Sequence, residues 1–516
     1  MSDNLFSLLT APSRAERTAL LWQGRSIRYA ELRDAALHMA AELRSRGVRE
    51  GDVVTLLLPN APAFVVAYFA CWYVGAVANP LNTRLGADEL AGLLAHAQSR
   101  LVISGPTFSK LADEALWRRE GQRCVPSGDS RLIELWLLES EDNLEVCAHN
   151  EAVGELARGA SDPAVLIYTS GTTAAPKGVL LSHSNLLADA AGIASRLAVD
   201  HEDRTLCFMP LFHCNALIFS HLSSFYVSAS VALYSKFSAS QLWEQVERTG
   251  AHSFSCPPTV LAMLLSRTPA NLSAPTGLRF VKVGAAPLAE SLASAFERRF
   301  NVPLIEGYGM TEGTATTVMH DPHASRPPGT VGFALDGQRV RIAREDGAVL
   351  PSGHVGEIQI GGATVMLGYH RAPELTSGTV IDGWLRTGDL GSLDSEGYLR
   401  LAGRQKDIII RGGENIFPAA LDELLEAHPG VQEGAVYGVP DAIWGEVPVA
   451  AVVPNPGLDL HHLSEFMRGR VADFQMPTHF RLVESIPRNA VGKTQRHILK
   501  ESHPALNGLQ EEGQPS

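Results

Sequence analysis

Up to about residue 400 the sequence keeps switching between short apolar runs and amphipathic helical stretches, and that alternation restricts the fold to layered α/β. Val53-Val54-Thr55-Leu56-Leu57-Leu58 reads as a buried strand, and residues 29–46 read as a helix. Residues 238–248 show helical spacing again, with Leu242 and Val246 on one face. Val165-Leu166-Ile167-Tyr168 is a second buried-type strand. After Arg404 the pattern becomes that of a compact α+β unit. A helix is expected over 418–427 with proline in its first turn, strands over 434–439 and 447–453, a helix over 458–473 and a strand over 479–483. A chain of 516 residues is too long for a single core. The expected organisation is an N-terminal domain of layered α/β subdomains over 1–404, a small domain over 405–501, and a polar, disordered tail over 502–516.

The net charge of -13 argues against a nucleic-acid partner, which would meet a basic face. The most apolar stretch, residues 63–78, is too short to span a bilayer, and Pro59, Pro62 and Pro80 bracket it; it reads as a buried helix. No integral membrane segment is expected. The six cysteines are scattered, with no C-x-x-C pair, so neither a zinc site nor a disulfide framework is expected. No basic segment followed by an apolar run opens the chain, and a cytoplasmic location is expected.

The strand at 165–168 runs into Thr169-Ser170-Gly171-Thr172-Thr173, followed by Lys177-Gly178. Hydroxyls, exposed amides and one lysine are a natural cradle for phosphate oxygens, although a Ser/Thr/Gly turn of this kind also occurs with no ligand. It is not a Walker loop, because Pro176 and Gly178 flank the lysine where that motif needs glycine and a hydroxyl. Gly492-Lys493-Thr494 fails the same test, since Pro487 stands where its first glycine should be.

With these motifs in this order, the chain resembles the adenylate-forming superfamily: acyl-CoA synthetases, adenylation domains of peptide synthetases and firefly-type luciferases. The resemblance covers about residues 10–500 and is strongest to stand-alone acyl-CoA ligases. It implies that residues 169–178 hold the ATP β- and γ-phosphates. Gly284-Ala285-Ala286 is similar to the family's adenine-side turn. Glu306-Gly307-Tyr308-Gly309-Met310-Thr311-Glu312 resembles its central motif. There Tyr308 would stack on adenine, Thr311 would donate to the α-phosphate and Glu312 would hold Mg²⁺. Asp389 would accept from the ribose hydroxyls, with Arg404 as a second nucleotide contact. Lys406 corresponds to the family's hinge, which implies that the small domain over 405–501 is mobile. Gly412 and Gly413 correspond to the loop lining the thiol tunnel. Lys493 corresponds to the catalytic lysine that reaches the carboxylate and α-phosphate.

The resemblance also implies the substrates ATP, a small carboxylic acid and coenzyme A. An acyl carrier protein is the alternative acceptor, and a non-catalytic nucleotide-binding scaffold is a lesser alternative. Phe212, His213, Asn215 and Ala216 resemble the segment beside the acyl pocket, with His213 near the reacting carboxylate. Amino-acid-activating relatives carry an aspartate where His213 stands, so a free amino acid is disfavoured as substrate. Together with Gly313 and the small residues after it, this segment suggests room for an uncharged aliphatic or aryl tail.

Overall fold

The computed structural model describes residues 4–120, 133–142, 159–169, 177–324, 326–488 and 493–503. Among these residues the strands form four sheets. At the centre of a nine-stranded sheet, Leu304–Tyr308, Phe280–Val283, Ser253–Cys256, Arg204–Cys207, Ser230–Leu233 and Thr18–Trp22 lie side by side and parallel. Phe280 packs into one hydrophobic core and Val281 and Val283 into another, so this sheet is covered on both faces. Strands covered on both faces are apolar at nearly every position. Lys282 breaks that rule.

A seven-stranded sheet contains Pro163–Thr169 beside Lys177–Ser182, an antiparallel pair in which Thr169 faces Lys177. The phosphate-loop candidates Ser170, Gly171, Thr172 and Thr173 lie outside the described residues. Helix Pro62–Val74 buries every one of its 13 residues. Gly75, at φ 77°, ends it in the left-handed region and hands the chain to strand Val77–Pro80. The apolar run over 63–78 is therefore a helix plus a strand. The helix is ~20 Å long, against the ~30 Å of a bilayer core. No described helix is long and apolar enough to cross a membrane.

The third sheet pairs Trp384–Leu393 with Leu399–Arg404, with Asp389 directly opposite Arg404. One turn, Gln405–Asp407, separates that strand from Ile409–Arg411, which belongs to the fourth sheet. There Val431–Asp441 and Gly445–Pro454 form a long antiparallel pair, with His479–Leu482 parallel to the second. This C-terminal unit has its own apolar clusters. Its helix Pro418–Glu426 lies against the N-terminal part, with the Cβ of Ala419 4.0 Å from where a Cβ on Gly403 would stand. The architecture is thus α/β, with a large N-terminal part and a small α+β C-terminal unit.

Three boundaries differ from expectation. The helix expected over 458–473 is only Leu460–Met467. Asp459 caps its start by accepting from the His461 N–H, and Gly469 at φ 77° turns the chain away at its end. The helix expected from 238 begins as a turn and becomes helical at Leu242–Thr249. Ser502 and His503, assigned to the tail, close the last helix instead. Arg481 donates to the Ser502 hydroxyl at 3.2 Å, and the Tyr437 hydroxyl lies 2.9 Å from His503 Nδ1. Residues 504–516 lie outside the described residues.

Candidate active site

The adenine-side candidates lie at the ends of two parallel strands, the usual ligand-binding edge of such sheets. Strand Leu304–Tyr308 delivers Glu306, Gly307 and Tyr308, and strand Phe280–Val283 leads into Gly284, Ala285 and Ala286. Ala285 sits at φ 70°, an unusual conformation for a residue with a Cβ. Gly309 must be glycine. A Cβ there would lie 2.1 Å from the Ala315 carbonyl oxygen.

Asp389 is the centre of the site. The Tyr308 hydroxyl donates to its Oδ2 at 2.8 Å, and the Arg404 guanidinium Nε stands 2.9 Å from Oδ1 as an ion pair. The Thr387 hydroxyl accepts from its backbone N–H at 3.0 Å. An ionised carboxylate offers about four lone-pair positions. Two neighbours therefore leave capacity for a pair of ribose hydroxyls.

Around Asp389 gather cations from both parts of the chain. Burial lowers the Lys493 ammonium to about 8; Arg404 pushes the same way, while Asp389 and Asp407 oppose it. The group thus stays mostly protonated at neutral pH. Lys406 is also lowered, chiefly by burial and then by Arg404, with Lys177 contributing from the phosphate-loop hairpin. The structure therefore brings Lys493, Lys406, Arg404 and Lys177 into one electrostatic cluster beside the strand ends. Lysines whose charge is disfavoured by neighbouring cations are suited to meet a polyanion. Burial lifts the Glu306 carboxyl to about 8, and Glu423 of the C-terminal unit adds to that shift.

Glu312 follows Thr311 in a single turn, Thr311–Gly313, and is 8% exposed. The Tyr369 hydroxyl donates to its Oε1 at 3.0 Å, and the Lys177 ammonium lies 5.8 Å from the Tyr369 ring centroid. No described group of three or more His, Cys, Asp or Glu could hold a metal alone. A lone hard carboxylate, with Lys177 on the far side of Tyr369, has the chemistry of a Mg²⁺ ligand, since Mg²⁺ binds through one or two carboxylates together with substrate phosphates. Tyr369→Phe is expected to raise the Mg²⁺ concentration needed for half-maximal adenylation by about tenfold, because Glu312 loses a donor worth ~1.5 kcal/mol. A Mg²⁺ titration of pyrophosphate release checks this.

The acyl-side candidates fall on a π-helical segment, Asn215–Leu222, and the turn before it. Such segments are frequent at functional sites. The Phe212 and His213 rings stand 4.5 Å apart, centroid to centroid. Burial, with help from Arg84, lowers His213 to about 4, so it is neutral at pH 7. Asn215 Oδ1 is buried with no hydrogen-bond partner among the described residues. Ala216 is fully buried, and its carbonyl accepts from His221 Nδ1 at 2.9 Å. Gly313 does not face an open pocket: a Cβ there would meet Thr317 Oγ1 at 3.3 Å and Ile360 Cδ1 at 3.5 Å. The turn at Thr311–Gly313 rotates it into the core. Gly412 and Gly413, at φ 59° and 91°, occupy the left-handed region at a hairpin tip of the C-terminal unit, with Gly412 against the Trp444 ring.

Sequence reasoning missed Tyr369, because nothing in a Gly-Tyr pair announces a partner 57 residues away. It also missed Lys282 and Asp189, both buried. A lysine inside the apolar run Phe280-Val281-Lys282-Val283 was the available signal.

Residues 10–370 match the family described as AMP-binding enzyme, and residues 420–493 match the AMP-binding enzyme C-terminal domain. The chain is 36% identical over 484 residues to a sulfoacetate–CoA ligase of Cupriavidus necator, covering 92% of each chain. It is 34% identical over 483 residues to a feruloyl-CoA synthase of an Amycolatopsis species, covering 92% of this chain and 94% of that one. The structure of o-succinylbenzoate CoA synthetase from Bacillus subtilis, in complex with its acyl-adenylate intermediate, superposes with a TM-score of 0.85 at 31% identity. That match covers 98% of this chain and 99% of the other. The protein belongs to the AMP-binding enzyme family, the adenylate-forming enzymes.

Proposed function

We propose that the protein is an ATP-dependent acid–thiol ligase that converts a carboxylic acid to acyl-AMP with loss of pyrophosphate and then transfers the acyl group to coenzyme A. The observation that carries this reading is Asp389, held by the Tyr308 hydroxyl at 2.8 Å and by Arg404 at 2.9 Å on the candidate nucleotide edge, where the charge of Lys493 from the C-terminal unit also acts. The relatives named above are CoA ligases or synthetases, which favours CoA as the acceptor.

In the first half-reaction two anions, carboxylate and α-phosphate, must be held in line against their repulsion. Asp389 and Tyr308 would seat the ribose and base. The Thr311 hydroxyl and the Lys493 ammonium would meet the oxygens on which charge builds up. Thr169, Lys177 and the loop between them would hold the departing phosphates. Glu312 would bind Mg²⁺, which when present neutralises phosphate charge. His213, neutral, can donate one hydrogen bond near the carboxylate without adding charge.

The domain boundary is placed at 404/405, with Lys406 in the single turn between the third and fourth sheets as the hinge. Rotation there would withdraw Lys493 and bring Gly412 and Gly413 to the adenylate, leaving space for the pantetheine arm. A cytoplasmic setting suits the free thiols of Cys71, Cys207, Cys214 and Cys256. Incubating the purified chain with ATP, Mg²⁺, CoA and a broad pool of carboxylic acids should yield AMP, pyrophosphate and a new acyl-CoA mass. ATP binding with no acid-dependent AMP would overturn the reading.

A further inference from the structure

Lys282 is a buried cation that the adenylation chemistry does not use. It is 5% exposed, and among the described residues no carboxylate lies within 4.0 Å of its ammonium. Its Nζ stands 5.2 Å from the Phe219 ring centroid, on the π-helical segment that begins at Asn215. On the other side, Nζ is 3.5 Å from where a Cβ on Gly284 would be, and Cε is 3.6 Å from the equivalent point on Gly307. The ammonium therefore sits between the acyl-side segment and the two glycines of the nucleotide edge. Ser255 is its register partner on the neighbouring parallel strand, so both side chains rise from the same face. The Ser255 hydroxyl is buried with no hydrogen-bond partner among the described residues, as are Thr316 Oγ1 and Asn215 Oδ1.

The nearest compensating charge is Asp189. One of its oxygens accepts the Thr316 N–H at 3.1 Å, and burial raises its carboxyl to about 7. Burial lowers the Lys282 ammonium, with Asp189 opposing. A buried charge without close partners is costly, and unpaired buried polar groups are rare in native proteins. Here a cation that meets a ring face but has no ion-pair partner among the described residues, and two hydroxyls without hydrogen-bond partners among them, lie beside the acyl segment. A methyl-ended acid would leave all of them unsatisfied. A sulfonate or a second carboxylate would satisfy them.

We propose that the acid activated by this enzyme carries a second anionic group, which Lys282 binds with the Ser255 hydroxyl beside it at the floor of the acyl pocket. The inference rests on the acid–thiol ligase reading and replaces the expectation of an uncharged tail.

The test compares acids of matched length that differ at the far end: propanoate with malonate and sulfoacetate, butanoate with succinate and 3-sulfopropanoate, and 3-phenylpropanoate with 3-(2-carboxyphenyl)propanoate. The readout is kcat/KM for AMP formation. Wild-type protein should favour an anionic member over its neutral match by about 100-fold, the discrimination expected when a buried charged donor is left unpaired. Lys282→Met should lower that ratio by about 100-fold and Ser255→Ala by about tenfold, while Lys282→Arg should hold it within tenfold of wild type. Carboxylate and sulfonate arms tell which anion the site takes. ATP affinity of each variant reports whether it has folded, and Ser255→Ala carries the test should Lys282→Met not fold. A wild-type preference for neutral members, or a ratio unchanged in folded variants, overturns the proposal while the ligase reading stands. Absence of AMP formation from this panel and from the broader pool overturns both.

Discussion

Replacing Lys493 with alanine is expected to slow acid-dependent adenylate formation by about 10²- to 10³-fold, the usual cost of losing one preorganised donor to developing charge. Thioester formation from supplied acyl-adenylate should survive within about threefold, since only the other half-reaction uses the ammonium. The structure places Lys493 among Arg404, Asp389, Asp407 and Lys406, so its charge already acts at the nucleotide edge. Truncation should leave ATP affinity nearly unchanged, because Arg404, Lys406 and Lys177 remain. Lys406→Pro is the mirror experiment. It fixes the backbone of the Gln405–Asp407 turn. Adenylation should then persist while CoA transfer falls. Pyrophosphate exchange and thioester release, measured separately on both variants, decide the matter. Equal losses in both halves for Lys493→Ala would remove the lysine from the role assigned to it.

Much of this arrangement could be read from the chain, and what escaped has identifiable causes. Strand Val53–Leu57, helix Tyr29–Ser45 and the α+β pattern after Arg404 follow from periodicity alone. The spacing that predicts a helix to 473 does not reveal that the chain becomes extended at Arg468 and left-handed at Gly469. The ion pair of Asp389 with Arg404 depends on strand register, which spacing does not disclose. The buttress from Tyr369 to Glu312 joins strand Gly368–Tyr369 of one sheet to the end of another, a tertiary fact with no local signature. The acyl side is less legible for a related reason. Small residues such as Gly313 suggest space, whereas how much of it is open depends on tertiary neighbours: a Cβ on Gly313 would meet Thr317, Ile360 and Leu385 within 4 Å. Lys282, two residues before the adenine-side turn, sits between apolar neighbours, and spacing alone does not tell whether its ammonium is buried.

Asp389→Ala is expected to lower kcat/KM for ATP by about 10³-fold, since the acceptors for two ribose hydroxyls vanish together. It should also destabilise the protein without nucleotide by ~3 kcal/mol, the low end for breaking a buried pair from one side. The reasoning is electrostatic. Asp389 is the shared anion of the cluster: it opposes the lowering of both Lys493 and Lys406, accepts from Tyr308 and pairs with Arg404. Without it, mutually repelling cations face a buried tyrosine hydroxyl that has lost its acceptor. Both lysines should then deprotonate at lower pH than in the wild type. Asp389→Asn separates the contributions, because the amide oxygen still accepts from Tyr308 while the charge is gone. It should regain part of the stability and little of the ATP affinity. Thermal unfolding with and without ATP distinguishes these terms: the wild type should gain more from nucleotide than either variant. A variant that loses stability yet binds ATP as tightly as wild type would mean that Asp389 only braces the two strands and never meets the ribose.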